Sequence, residues 1–459
     1  MAKAVNVNMT EGPLLGKIIR FSVPLMLSGM LQLLYNAADV VVVGKWAGSA
    51  ALAAVGSTGA LVNLLINLFM GVSVGCNVLA ARYYGAGDRE SVSRTVHCAV
   101  GVSVIIGVAA GMVGLVFSTP LLRLMGSPED VLPLASLYLR IYFCGMPFNI
   151  AYNFGAAVLR AVGDTKRPLY FLSAAGAVNV ALNLLTVIVF RMGVAGVAVA
   201  TVASQLISAV LVIRCLMLRE DCCHLDLRQI RIYREQLLAM IRIGLPAGIQ
   251  GSLFSLSNVI IQSSVNSFGS VVVAGNAAAA NIEGFVYTAM NSVYQASITF
   301  VSQNLGAGKP SRILRVMWIC LGVTAAVGLT LGTLVYTFGH GLLGIYASDS
   351  EGLKEQIIAV GLRRFRYVGR PYFLCGLMEV GCGGMRGLGR SWLPTSVTLL
   401  GACGLRMVWI FTVFRELHTL DSLYVSYPIS WTVTFLAHMV CFFLAFRKVR
   451  RQFPEEQAV

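Results

Sequence analysis

Charge is scarce in this sequence. Asp, Glu, Lys and Arg make up 12% of its 459 residues, about half the share in soluble domains, while 57% are hydrophobic. That balance excludes a soluble enzyme or a nucleic-acid-binding domain, whatever the formal charge of +15 would suggest. Catalytic signatures are missing too. His97, His224, His340, His418 and His438 form no metal-binding pair, and no Gly-x-Ser-x-Gly elbow occurs. Gly306-Ala307-Gly308-Lys309 imitates the end of a phosphate-binding loop, but Gln303 stands where glycine is required and Pro310 where Ser or Thr should follow. No ATP chemistry, enzyme activity or cofactor is therefore expected. The opening residues carry Lys3, Lys17 and Arg20 without an apolar run ending in a small-residue cleavage site, so no removable signal peptide is expected. The 11 cysteines show no metal spacing and lie mostly in apolar stretches, as buried thiols do. Cys222 and Cys223 fall in a charged loop and are expected to be reduced, solvated and without a role.

What is present is long apolar runs, repeated from end to end. Spans are predicted at about 14–43, 51–80, 95–119, 131–157, 168–190, 193–216, 239–266, 274–300, 314–338, 357–384, 391–415 and 424–446. The chain is thus an all-α polytopic membrane protein of twelve transmembrane helices. Its connections alternate in charge, with clusters such as Arg82/Arg89/Arg94, Arg160/Lys166/Arg167 and Arg447/Lys448/Arg450/Arg451 on one side. The positive-inside rule places both termini in the cytoplasm, which fits a bacterial inner (cytoplasmic) membrane.

The sequence also repeats itself. Ile19 to Pro24 returns as Ile241 to Pro246 at an offset of 222, Gly85 to Asp88 as Gly306 to Lys309 at 221, and Arg160 to Gly163 as Arg386 to Gly389 at 226. Each repeat holds six spans, an even number, so the halves share one orientation and are parallel six-helix repeats. The divisions expected are an N-terminal lobe at 1–218, a cytoplasmic linker at 219–238 and a C-terminal lobe at 239–459. Duplicated bundles of this kind point to transport by alternating access. Pro24 and Pro246 each open the first helix of a half, where a missing backbone donor suits a gate and suits static packing equally.

Ionisable groups at bilayer depth are few and expensive. Asp39 shares a helix face with Tyr35 and Asn36, and Asn179 and Asn183 share another. Counted from Lys45 and Arg191, Asp39 lies about 9 Å and Asn183 about 12 Å from the outer end, nearly level. A carboxylate beside two amides can hold a proton or a sodium ion with oxygen ligands, or can staple two helices. In the second half Glu283, after Asn281, and Glu379 are the candidates for titration or for binding a cation. Arg140, Arg363, Arg364, Arg366 and Arg370 form a basic set that either snorkels to the interface or binds an acidic group.

Pro24 with Tyr35-Asn36-Ala37-Ala38-Asp39, then Leu159 to Thr165, Asn179 to Asn183 and Gln303 to Gly308, resemble the multidrug and toxin extrusion (MATE) family of cation-coupled antiporters, over about residues 14–446. The resemblance implies a V-shaped pair of six-helix bundles, exporting amphipathic organic cations against a proton or sodium gradient. It implies a monomer among membrane lipids, with no nucleic-acid partner. It also implies that Asp39 is the ion-coupling acid, with Asn179, Asn183 and Thr201 around it. Tyr35, Asn36, Gln250, Asn281, Glu283 and Glu379 are the expected solute-binding residues, Gln250 lying in a region where some members carry an acid. The rival is a lipid-linked oligosaccharide flippase of the same broad superfamily, for which the basic set would be the footing.

Overall fold

The computed structural model describes residues 7–125, 128–346 and 352–453. Among the described residues twelve principal helical units follow one another, a short helix at Gly339–Tyr346 stands apart from them, and no strand occurs. They are α1 (Leu14–Trp46), α2 (Ser49–Gly85), α3 (Arg89–Leu124), α4 (Leu132–Cys144 with Met146–Ala161), α5 (Lys166–Asn183, prolonged by Leu184–Val189) and α6 (Gly193–Met217). The second half gives α7 (Arg234–Asn266), α8 (Ser270–Gly306), α9 (Pro310–Thr337), α10 (Lys354–Arg364 on to Phe373–Gly387), α11 (Trp392–Leu417) and α12 (Leu420–Arg450). Nine of the described helices are long and apolar enough to cross a membrane. The other three units are α4 and α10, which are broken, and α8, which carries Asn276, Asn281, Glu283 and Asn304 along its length.

Helices overrun the apolar stretches that predicted them because backbone hydrogen bonding continues where hydropathy stops. Asp88, for example, caps α3 seven residues before the apolar run, accepting from the Ser91 N–H at 3.0 Å. The motif repeats have a backbone cause. Gly87 and Gly308 have φ of 73° and 67°, and Gly163 and Gly389 have 87° and 78°, so each helix exit needs a left-handed residue. Other repeated features carry little residue identity. Gly145 marks the break in α4 and Pro371, 226 residues on, lies at the break in α10. The π-helical stretches Leu184–Val189 and Ile410–Phe414 begin at the same offset in α5 and α11.

Packing divides the chain into two units, each an assembly of helices around its own apolar core. One comprises Leu27–Gly248 with Val7 and Asn8, and the other comprises Met9–Met26 with the described residues from Ile249 onward. The division therefore falls inside α1 and α7, not in the 219–238 stretch that the repeat suggests as the joint. In both helices it comes two residues after the repeated proline, Pro24 or Pro246. The opening turns of α1 pack in the second unit, where Leu14, Ile18 and Phe21 join Phe300, Val316 and Phe442.

The 219–233 stretch is a docked strap. Arg219 reaches Asp164 at 3.5 Å and binds Asp221, and the His97 Nε2 accepts from the Asp226 N–H at 3.1 Å. Cys223 and Leu225 are buried in the first unit's core, which corrects the expectation of a solvated Cys223; Cys222 is half-buried, and both thiols are free.

Candidate functional site

In the first unit the equal depth of Asp39 and Asn183 becomes a contact. Asn183 Nδ2 donates to the Asp39 carboxylate and also, at 3.2 Å, to Asn179 Oδ1 one turn earlier on α5. Asn179 and Asn183 are buried and Asp39 is half-buried. Asn183 ends the α-helical part of α5, and the wider π-helical turns begin at the next residue. Such turns recur where a helix is bent to serve a site. Asn183 Oδ1 is buried without a hydrogen-bond partner, which leaves an oxygen at the cluster with acceptor capacity unused. With its nitrogen turned to Asp39, the cluster suits a carboxylate that gains and loses a proton. A sodium ion held by Asp39, Asn179 and Asn183 would need the Asn183 amide turned over.

Around this cluster the other first-unit candidates are placed unequally. The Tyr35 hydroxyl donates to the Ser173 carbonyl at 3.4 Å, and its ring lies on Gly176, where a Cβ would fall 1.8 Å from the ring. Asn36 is exposed. The Thr201 hydroxyl donates to the Val197 carbonyl of its own helix at 2.9 Å.

The second-unit candidates do not converge. Glu283 is buried and held on both oxygens by Arg364, whose Nε lies 3.2 and 3.1 Å away and whose Nη2 lies 2.7 Å away. Arg364 also donates to Asn276 Oδ1 at 2.7 Å and lies over the rings of Tyr424 and Tyr427. The Glu283 carboxylate is thus saturated by a fixed cation. Asn281, two residues away, points around the other side of α8 and is exposed. Gln250 is buried and its Oε1 accepts from Arg386 Nη2 at 2.8 Å, while Arg386 Nη1 donates to the Tyr294 hydroxyl. Glu379 is half-buried on α10, two turns before Arg386, and takes part in no described ion pair. Of the basic set, Arg363 pairs with Asp421 at 2.6 Å, Arg140 donates to Thr119 at 3.3 Å, and Arg370 lies over the Tyr336 ring.

One residue at bilayer depth is absent from the sequence candidates. Arg406, in the middle of α11, is 1% exposed. Its signal was present, since a lone arginine inside an apolar span is as unusual as Asp39.

Comparisons with known proteins agree with this architecture. The profile of the MatE family matches residues 24–185 and 246–412, once in each half. The "Probable multidrug resistance protein YoeA" of Bacillus subtilis is 29% identical over 427 residues, covering 91% of this chain and 90% of that one. An "FAD transporter" of Shewanella oneidensis is 24% identical over 354 residues, covering 75% and 77%. Among solved structures, the outward-facing conformation of a multidrug resistance MATE family transporter of the MOP superfamily superposes with a TM-score of 0.90 at 21% identity, covering 98% of this chain and 100% of that one.

Proposed function

Because this chain belongs to the MatE family, whose members are transporters and not enzymes, we propose that it is an ion-coupled antiporter exporting amphipathic organic cations in exchange for protons or sodium ions. It is a multi-pass membrane protein that moves drug-like small molecules. The observation that carries the coupling step is the Asp39 carboxylate bound by Asn183, which is bound in turn to Asn179. Protonating Asp39, or giving it a sodium ion, takes away the negative charge that strengthens its acceptance from Asn183, so ion occupancy weakens a contact between α1 and α5. Tyr35 and Asn36, on the same face of α1, would feel that change and are assigned to the solute; Glu379, taken by itself on α10, is assigned to the solute as well. Glu283 serves the fold instead. Pro24 and Pro246 lie where α1 and α7 pass from one packing unit to the other, which supports a hinge role in alternating access. The flippase alternative loses two of its arginines, since Arg363 and Arg364 are already paired with Asp421 and Glu283.

A second reading, a solute bearing acidic groups, is supported by the relative described as an FAD transporter. The observation that favours it is the charge count in the second unit, where Arg364, Arg386 and Arg406 are buried against Glu283 and the half-buried Glu379.

The test of coupling is Asp39→Asn, reconstituted in proteoliposomes at matched density with proton and sodium gradients imposed separately. The variant keeps a hydrogen-bonding side chain, so it should insert as the wild type does and lose gradient-driven export of a lipophilic cation by about tenfold or more, with a smaller loss of binding. Undiminished export would remove Asp39 from the mechanism.

A further inference from the structure

Arg406 is ionised under all ordinary conditions, yet none of the described ion pairs includes it. It lies about 16 Å along α11 from the nearer helix end, at a depth where an unpaired charge is costly. The local winding is unusual. Arg406 occupies a short α-helical stretch, Leu405–Trp409, between the π-helical segments Leu399–Gly404 and Ile410–Phe414.

Three rings stabilise the guanidinium. Its carbon lies 4.3 Å from the Tyr427 ring centre, 5.4 Å from Trp431 and 5.8 Å from Phe254. Cation–π attraction offsets part of the desolvation but does not give the N–H groups an acceptor. Nε donates to the Ser430 hydroxyl at 2.8 Å, whereas Nη2 and the neighbouring Trp431 Nε1 are both buried with no hydrogen-bond partner. Two orphan donors, one of them charged, belong to side chains that lie against each other. Buried donors are rarely left so, and the acceptor that best answers a full positive charge is an anion.

We propose that Arg406 and the Trp431 N–H form an anion subsite within the second unit, which takes the carboxylate or phosphate group of an aromatic solute. The rings favour a planar solute over a bare ion, because Tyr372 lies against Trp431 at 5.3 Å and extends the aromatic wall. The inference rests on the reading of the chain as an exporter of small molecules and adds acid-bearing aromatics to what it carries. It does not depend on the coupling role of Asp39.

The test is equilibrium binding to the purified full chain, without any gradient, of 2-naphthoate and the isosteric neutral 2-naphthamide. The wild type should bind naphthoate about tenfold or more tightly, the gain expected from a charge-assisted pair in a dry site. Arg406→Met should abolish that preference while leaving naphthamide affinity within about twofold, and Trp431→Phe, which keeps a ring but loses the N–H, should weaken it a few-fold. Chloride should weaken naphthoate binding more than naphthamide binding. Equal binding of the two probes by the wild type, or a preference that survives Arg406→Met, overturns the subsite. Chloride binding with no naphthoate preference assigns the donors to a free halide and overturns the solute. Should Arg406→Met fail to fold, an unchanged preference in Trp431→Phe refutes the proposal. Failure of the exporter reading would show separately, as wild-type liposomes that move no solute under any gradient.

Discussion

Glu283 offers the sharpest separation between a solute-binding acid and a structural one. Arg364 contacts both of its oxygens at 2.7–3.2 Å, and both side chains are buried. Glu283→Gln keeps the shape and an acceptor oxygen but leaves the guanidinium without a counter-charge. Breaking one side of such a buried pair costs about 3–5 kcal/mol. Some of that is retained by the Asn276 bond at 2.7 Å, which the substitution does not touch. At about 3 kcal/mol, and with 1 kcal/mol shifting the midpoint of a body of this size by roughly 2–4 °C, Tm should fall by about 6–12 °C. The measurement is thermal unfolding of purified protein in one detergent, followed by tryptophan fluorescence, with lipophilic-cation binding measured on the folded fraction. Binding should change by less than about threefold, because a carboxylate already neutralised by arginine adds little attraction for a second cation. Arg364→Met should be as damaging, and the double variant should recover at least half of the summed loss, since it leaves no buried orphan charge. An unaltered Tm together with lost cation binding would refute the reasoning and return Glu283 to the solute.

Two further outcomes follow from particular contacts. Gly176→Ala places a methyl group where the Tyr35 ring lies, 1.8 Å from its nearest atom, so it should destabilise the protein by about 1–3 kcal/mol and displace Tyr35, read as a Tm loss that Tyr35→Ala in the same chain relieves. Reporters fused after Arg228 and at the C-terminus should be cytoplasmic, and one in the turn at 269–273 external; a cytoplasmic signal from that turn contradicts the charge-based topology.

The spans were legible because apolar length is dictated by the bilayer and needs no partner to read. The approach of α1 to α5 was legible for a similar reason, since Asp39 and Asn183 could be levelled against flanking charges by helical rise alone. Partnerships across long separations were not. Nothing local ties Glu283 to Arg364, 81 residues on, so an acid in an apolar helix read as open to solute when it was already paired. The grouping of Asn281 with Glu283 ignored a constraint that was available, as residues two apart on a helix point in nearly opposite directions. The breaks in α4 and α10 and the π-helical stretches leave only a glycine, a proline or no mark at all, because they are settled by which neighbours the side chains pack against. The passage of α1 and α7 between packing units is of the same kind. The prolines marked the place without disclosing it.

That passage sets a clock. Leu14, Ile18 and Phe21 leave the ribosome well before their packing partners, which include Phe300, Val316 and Phe442. At about 5–20 residues per second, the earliest of these partners is made roughly 15–60 s after the segment that must meet it. The start of α1 therefore waits in the membrane with an unpartnered face while an entire repeat is inserted behind it. The second unit's core thus draws on chain made at the start of the first repeat as well as after it, so the two repeats, separable in sequence, are not separable in maturation.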